Sequence, residues 1–295
     1  MDPAIIFFGL GVGALVGVTG MGGGSLMTPL LILVAGIQPV VAVGTDLAYA
    51  AVTKTVGGWR HFRKGTVFPR MALWLAVGSC PAALVGVWLL DRLRTSWGDD
   101  FDTFMLLAIG GTLALTGALV LLRALAIADH ASRERGAFVM HARHKAAAVA
   151  LGATIGLVLG VTSAGSGTLI AIGLILGFRL SPHRVVGTDV AHAAVLLWVA
   201  AFAHLVSGNI DFALAGTLLL GSIPGVWLGA NLATKMPVNV LRTALGVVLL
   251  ASGLGLLSKA GLELPAFVLA GVPITLAIVS FLVLRRRGLV EAAQS

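Results

Sequence analysis

Charge is scarce in this sequence. Only 11% of its 295 residues are Asp, Glu, Lys or Arg, where a soluble domain carries about 25%, so water is not its main solvent. Long polar stretches are missing too: none exceeds about 25 residues, well short of the roughly 50 that a separate soluble domain needs. A single cysteine, Cys80, excludes an internal disulfide and any multi-cysteine metal site. No basic residue precedes Lys54, so the opening MDPAIIFFGLGVG lacks the positive region of a signal peptide. It reads as the first membrane segment itself. There is also no Walker A pattern, which argues against direct ATP drive by this chain.

What is present is apolar. Hydrophobic residues make up 58% of the chain and the mean hydropathy is +1.02. At about 20 apolar residues per spanning helix there is room for roughly eight to eleven membrane segments. A net charge of +8 would point to nucleic acid in a soluble protein. Here it reflects the excess of Lys and Arg in cytoplasmic loops, and the expected partner is the lipid bilayer, with no nucleic acid.

Apolar runs fall at about 3–19, 25–35, 40–57, 69–90, 102–126, 146–161, 168–177, 185–206, 210–232, 240–258 and 266–284. All are expected to be helices, because a segment crossing lipid must satisfy its own backbone. Two of them, 25–35 and 168–177, are too short to span alone. Each follows a small-residue break: Thr19-Gly20-Met21-Gly22-Gly23-Gly24-Ser25 and Thr162-Ser163-Ala164-Gly165-Ser166-Gly167-Thr168.

A shift of 143 residues superposes those breaks and much around them. It carries Val43-Gly44-Thr45-Asp46 onto Val186-Gly187-Thr188-Asp189, His61 onto His204, Gly65 onto Gly208, Gly78-Ser79 onto Gly221-Ser222, and Pro81 onto Pro224. The sequence is therefore an internal repeat. Placing Arg285-Arg286-Arg287 in the cytoplasm puts sixteen cations inside, against Arg92, Arg94 and Lys259 outside. Each repeat holds five segments, an odd number, so the two copies are expected in opposite orientations, the plan of many secondary transporters. The expected organisation is a first transmembrane repeat at 1–126, a basic cytoplasmic linker at 127–145, an inverted second repeat at 146–258, and an extra C-terminal helix with a basic tail at 259–295. The fold class is all-α and polytopic, with the N-terminus outside and the C-terminus inside.

Interrupted helices in matching positions point to a binding site in such transporters. The candidate substrate-binding residues are therefore Thr19, Gly20, Gly22, Gly23, Gly24, Ser25, Thr162, Ser163, Gly165, Ser166, Gly167 and Thr168. Ser25 and Thr168 sit where each short helix is expected to begin, so free N–H groups and the positive dipole end face an oxyanion. The competing explanation is that small residues only allow tight helix crossing.

Asp46 and Asp189 are the only two of the twelve acids expected in the body of a membrane helix, away from its ends, and the repeat superposes them. A carboxylate in the bilayer is costly and marks function by default. Structural support, proton coupling and direct ligand contact are all open to these residues. Left ionised, both would repel an anion, so an anion path requires them protonated or occupied by backbone. Thr45, Thr188, Tyr49 and His192 are candidate supports. Tyr49 and His192 are repeat mates, and His192 lies one turn from Asp189. Lys54 reads as a snorkelling residue near the cytoplasmic end of its helix, and the paired Gly-Ser-x-Pro steps read as kinks or hinges.

The segment GxxxGxTGMGGGSLMTPLL from Gly13 to Leu31, the Gly44-Thr45-Asp46 helix and the second copy at 156–191 resemble the TauE/SafE family of sulfite exporters (the TSUP or DUF81 permeases). The resemblance covers nearly the whole chain. It implies an inner-membrane transporter for a small sulfur oxyanion such as sulfite, or for an organosulfonate, with no cofactor and no metal. The second copy reads SAGSGT where the first reads GMGGGS, so the two sides of a pathway differ chemically. The leading reading is a proton-coupled permease and not an enzyme. The alternatives are a passive anion or small-solute channel and, remotely, an intramembrane hydrolase using Ser166, His192 and Asp189. That last grouping lacks a nucleophile elbow.

Overall fold

A computed structural model describes residues 3–19, 24–98, 100–126, 140–178, 180–233 and 238–294. Among these there are eleven helices and no strand: α1 (Pro3–Thr19), α2 (Gly24–Leu33), α3 (Pro39–Arg63), α4 (Pro69–Trp97), α5 (Asp100–Ala126), α6 (Ala142–Thr162), α7 (Ser166–Leu176), α8 (Pro182–Val206), α9 (Phe212–Ala233), α10 (Val238–Lys259) and α11 (Ala266–Gln294). Each apolar run of the sequence corresponds to one helix. Pro39, Pro69 and Pro182 open α3, α4 and α8, a position where the missing N–H costs nothing and the fixed φ suits the first turn.

α3 runs past the apolar stretch to Arg63, so the loop expected at 58–68 shrinks to five residues. Arg60, His61 and Arg63 occupy its last turn, where cations favour the negative end of the helix dipole. The helix stops at Gly65, whose φ of +66° is left-handed. The Gly65 N–H donates to the Phe62 carbonyl and the Thr66 N–H to that of His61, the Schellman pattern that closes a helix end. α8 stops the same way 143 residues later, with Gly208 at φ +70° and Asn209 N–H donating to the His204 carbonyl.

The packing partners are exchanged along the chain. α1 packs chiefly on α9 and α6 chiefly on α4, while α3 pairs with α8 and α5 with α10. The contacts recur at the repeat offset. A Cβ on Gly78 of α4 would collide with the Val149 carbonyl of α6, and one on Gly221 of α9 with the Ile6 carbonyl of α1. These approaches are close because both glycines present bare backbone to the neighbouring helix.

α3 and α8 run antiparallel. The start of α3 meets the chain beyond the end of α8, where Gly44 lies against Asn209, and Trp198 Nε1–H donates to Thr55 Oγ1 midway. The start of α8 meets the loop after α3, where the Phe68 N–H donates to Thr188 Oγ1 at 2.9 Å. Its repeat mate forms the corresponding bond, the Asp211 N–H donating to Thr45 Oγ1 at 3.1 Å. Thr45 and Thr188 thus tie each helix start to the loop beyond the other helix.

Five helical stretches are long and apolar enough to cross a membrane: Pro69–Trp97, Asp100–Leu122, Ala142–Thr162, His183–Val206 and Phe212–Gly229. Three shorter apolar ones are Ile5–Leu15, Thr243–Lys259 and Ala266–Ser280. Phe7, Trp88, Phe202, Trp227 and Phe267 stay exposed, a surface suited to lipid and not to water. α11 continues about ten residues beyond the expected 284, so Arg285-Arg286-Arg287 falls within a helix and not in a tail.

Candidate functional site

The site is built where α6 gives way to α7. α6 ends at Thr162, whose Oγ1–H donates back to the Val158 carbonyl at 2.8 Å and accepts from the Ala164 N–H. Ser163 follows at φ 56°, the only non-glycine with positive φ among the described residues, and Gly165 at φ +85°. Two left-handed residues two positions apart turn the chain sharply, and α7 restarts at Ser166. Thr168 is buried as the third residue of α7, so the helix begins two positions earlier than the sequence reading placed it.

Asp46 reaches this turn from α3. Its Oδ2 accepts the Ser163 hydroxyl at 2.8 Å and the Thr28 hydroxyl of α2 at 2.6 Å. The carboxylate is fully buried, and its Oδ1 has no partner. Asp189 approaches the same turn from α8. A Cβ on Gly167 would lie 3.4 Å from Asp189 Oδ2, and Asp189 Oδ1 also has no partner. The two acids therefore flank one short stretch of backbone, Asp46 at Ser163 and Asp189 at Gly167.

The first turn of that stretch also meets α5. A Cβ on Gly165 would sit 3.0 Å from Thr116 Oγ1 and 3.1 Å from the Thr112 methyl. Thr116 is buried, and its hydroxyl is a further polar atom without a partner.

His192 does not face Asp189 through a hydrogen bond. Its Nε2 is bonded to Ser79 Oγ of α4 at 2.8 Å, and its Nδ1 is buried without a partner. No acid orients the ring, so no Ser–His–Asp relay is assembled among the described residues. The repeat mates of His192 and Ser79, Tyr49 and Ser222, are both buried, with the Tyr49 hydroxyl beside the Ser222 side chain but making no close hydrogen bond. Lys54 is half-buried on α3 and interacts electrostatically with both Asp189 and His192.

Other expected residues fall as follows. Thr19 is the last residue of α1, Gly24 the first of α2, and Ser25 is half-buried as the second. Gly20, Gly22 and Gly23 lie outside the described residues, as do the side chains of Thr19 and Ser166. Among the described residues no group of three or more His, Cys, Asp or Glu is placed to hold a metal ion.

Sequence reading missed Thr28, Thr116 and the role of Ser79. Thr28 and Thr116 have Ala171 and Lys259 as repeat mates, so the internal symmetry that exposed the other candidates gave no sign of them. The repeat pairs Ser79 with Ser222, and sequence alone reads both as parts of Gly-Ser-x-Pro kinks or hinges. The Ser79 oxygen instead holds His192.

These features place the chain among proteins already grouped. A family model described as sulfite exporter TauE/SafE matches residues 5–256. The chain is 38% identical over 258 residues to the probable membrane transporter protein YjnA of Bacillus subtilis, covering 87% of this chain and all of that protein. It is 29% identical to the probable membrane transporter protein YdhB of the same organism, over 86% of this chain and 98% of the relative. It is 28% identical to a probable membrane transporter protein of Xylella fastidiosa, over 85% and 94%. No solved structure shows a significant match. With the apolar helices above and a family match across most of its length, the chain belongs to the sulfite exporter TauE/SafE family and is a multi-pass membrane transporter.

Proposed function

We propose that this transporter is a secondary permease for a small sulfur-containing anion, sulfite or an organosulfonate, coupled to protons and binding its substrate at the two helix breaks. The observation that carries the reading is the set of buried polar atoms without partners around residues 163–167: Asp46 Oδ1, Asp189 Oδ1 and Thr116 Oγ1. Buried polar groups are normally hydrogen-bonded, so three such atoms at one turn mark a place built to meet a polar ligand. The N–H groups opening α7 add donors and a favourable dipole end for an oxyanion. Protonated, both carboxyls become donors as well.

The repeat supports the rest of the reading. Exchanged packing of α1 on α9 and α6 on α4, with α3 antiparallel to α8, is what two copies inserted in opposite directions would produce. On this reading residues 1–126 and 146–258 are the two copies, 127–145 links them in the cytoplasm, and 259–295 is an appended helix. The protein sits in the bacterial inner membrane with its N-terminus outside. The break at 19–25 then lies across the substrate from the one at 162–168.

The test is sulfite and organosulfonate flux into proteoliposomes, with and without an imposed pH gradient. Saturable, gradient-dependent flux is the expected result. Flux that follows only the anion's own gradient would replace the permease with a channel, and no flux of either class would remove the sulfur-anion assignment.

A further inference from the structure

An anion path flanked by two acids needs a cation, and α3 supplies a row of them. Lys54, Gly57, His61 and Lys64 follow one another at spacings of three and four residues, one stripe on one helix face. A cavity of about 290 Å³ opens on this stripe, lined by Gly57, Arg60, His61 and Lys64. Gly57 leaves its floor bare, and a Cβ there would stand 3.2 Å from a methyl of Val190, the residue after Asp189. The cavity thus abuts the helix that carries Asp189. Arg63 lies over the Trp59 ring at 5.5 Å, which leaves Arg60 and Lys64 as the cations of the opening.

Lys54 lies one turn beyond Gly57. It is half-buried and makes no ion pair among the described residues, yet it feels Asp189 and His192 electrostatically. The charged group that acts on Asp189 is Lys54 from α3, and Asp46, also from α3, stands at the same turn on Ser163. α7 presents backbone at Gly167, and α4 presents Ser79, which holds His192. A lysine close to a carboxylate without contact is placed to accept a different anion.

We propose that the α3 cavity is an anion port and that Lys54, one helical turn beyond its Gly57 wall, takes the charge of the substrate in exchange for that of Asp189. The proposal rests on the anion reading above and names its counter-charge. Without substrate, the Lys54 ammonium balances the Asp189 carboxylate. A monoanion entering along Arg60 and Lys64 replaces that carboxylate as the partner of Lys54, and Asp189 takes one proton from the bulk solution on the loading side to become a neutral acid. The pair is neutral before and after, so one proton accompanies each monoanion and the loaded step is electroneutral. Burying either charge alone would be strongly unfavourable, and this enforces the coupling.

The test uses the full chain in proteoliposomes, with every variant first shown to be monodisperse in detergent. Lys54→Met is expected to raise the sulfite KM by about 10- to 100-fold, the loss of one charged hydrogen bond, and Lys54→Arg to recover part of it. Asp189→Asn is expected to keep saturable sulfite exchange but lose its response to a pH gradient. A Lys54→Met protein with wild-type KM and gradient response overturns the proposal.

A second measurement needs no transported substrate. In a Cys80→Ser background, Gly57→Cys is labelled with thiosulfonate reagents bearing either a sulfonate or a trimethylammonium group. The sulfonate reagent is expected to react about tenfold faster at low salt, by focusing of the cationic field, and to lose that advantage when Arg60 and Lys64 are changed to Gln. Equal rates, or a faster cationic reagent, overturn the port even where wild-type sulfite flux is intact. Conversely, a sulfonate preference in a protein that carries neither sulfite nor organosulfonate keeps the port and removes the substrate assignment.

Discussion

The carboxylate of Asp46 on α3 accepts a hydrogen bond from Ser163, which stands 117 residues further along the chain in the turn before α7. The same oxygen accepts from Thr28 on α2. One side chain thereby joins three segments that no local sequence signal connects.

Removing one donor from that oxygen is expected to cost about 1–3 kcal/mol, the range for hydrogen bonds to charged groups and for buried groups left short of a partner. Ser163→Ala and Thr28→Ala should both lower the melting temperature in detergent. Ser163→Gly loses the same hydroxyl but relieves the left-handed backbone, worth about 1–2 kcal/mol. It should therefore melt above Ser163→Ala, and the reverse order would remove the strain from the account.

Gly78→Ala and Gly221→Ala should behave alike. Each places a methyl against a carbonyl of the packed helix, and overpacking of this kind costs about 1–3 kcal/mol. Gly111 and Gly216 have nothing within 4 Å of an added Cβ, so alanine there should be neutral or stabilising by up to about 1 kcal/mol. Comparing the yield of monodisperse protein across the four variants checks the contrast.

Tyr49→Phe and Ser79→Ala separate a loosely held hydroxyl from a closely bonded one. The buried Tyr49 hydroxyl makes no close hydrogen bond and has the Ser222 side chain beside it, so its removal should change stability by less than the loss of Ser79. Ser79→Ala would leave both His192 nitrogens unpaired and should cost about 1–3 kcal/mol. Thermal unfolding of the two variants gives the comparison directly.

Thr116→Val tests the site without disturbing the fold. The shape is kept and an unpartnered hydroxyl is removed, so the melting point should hold. On the proposed reading sulfite affinity should fall by about 10-fold, the loss of one hydrogen bond to a charged ligand. An unchanged KM would take Thr116 out of the site.

Much of this architecture was legible because lipid enforces continuous helices, so apolar runs and helices coincide from α1 to α11. The repeat made paired residues visible: Thr45 with Thr188, Gly65 with Gly208, and Asp46 with Asp189. What stayed hidden was asymmetric. The mates of Ser163 and Thr28 are Gly20 and Ala171, which carry no hydroxyl, so Asp46 gains donors that have no counterpart at Asp189. The helix length of α3 was also underread, because an apolar window stops where charged residues begin while the backbone continues to Arg63.

The exchanged packing of α1 also has a consequence for biosynthesis. α1 ends at Thr19 and its main partner α9 begins at Phe212, so at about 5–20 residues per second the first helix waits on the order of 10–40 seconds for the surface it fits. During that interval Gly9 and Gly13 lack the α9 backbone against which they later press. Maturation of this protein is therefore gated by the arrival of its ninth helix, and a nascent chain released before that point has nothing to seat the first.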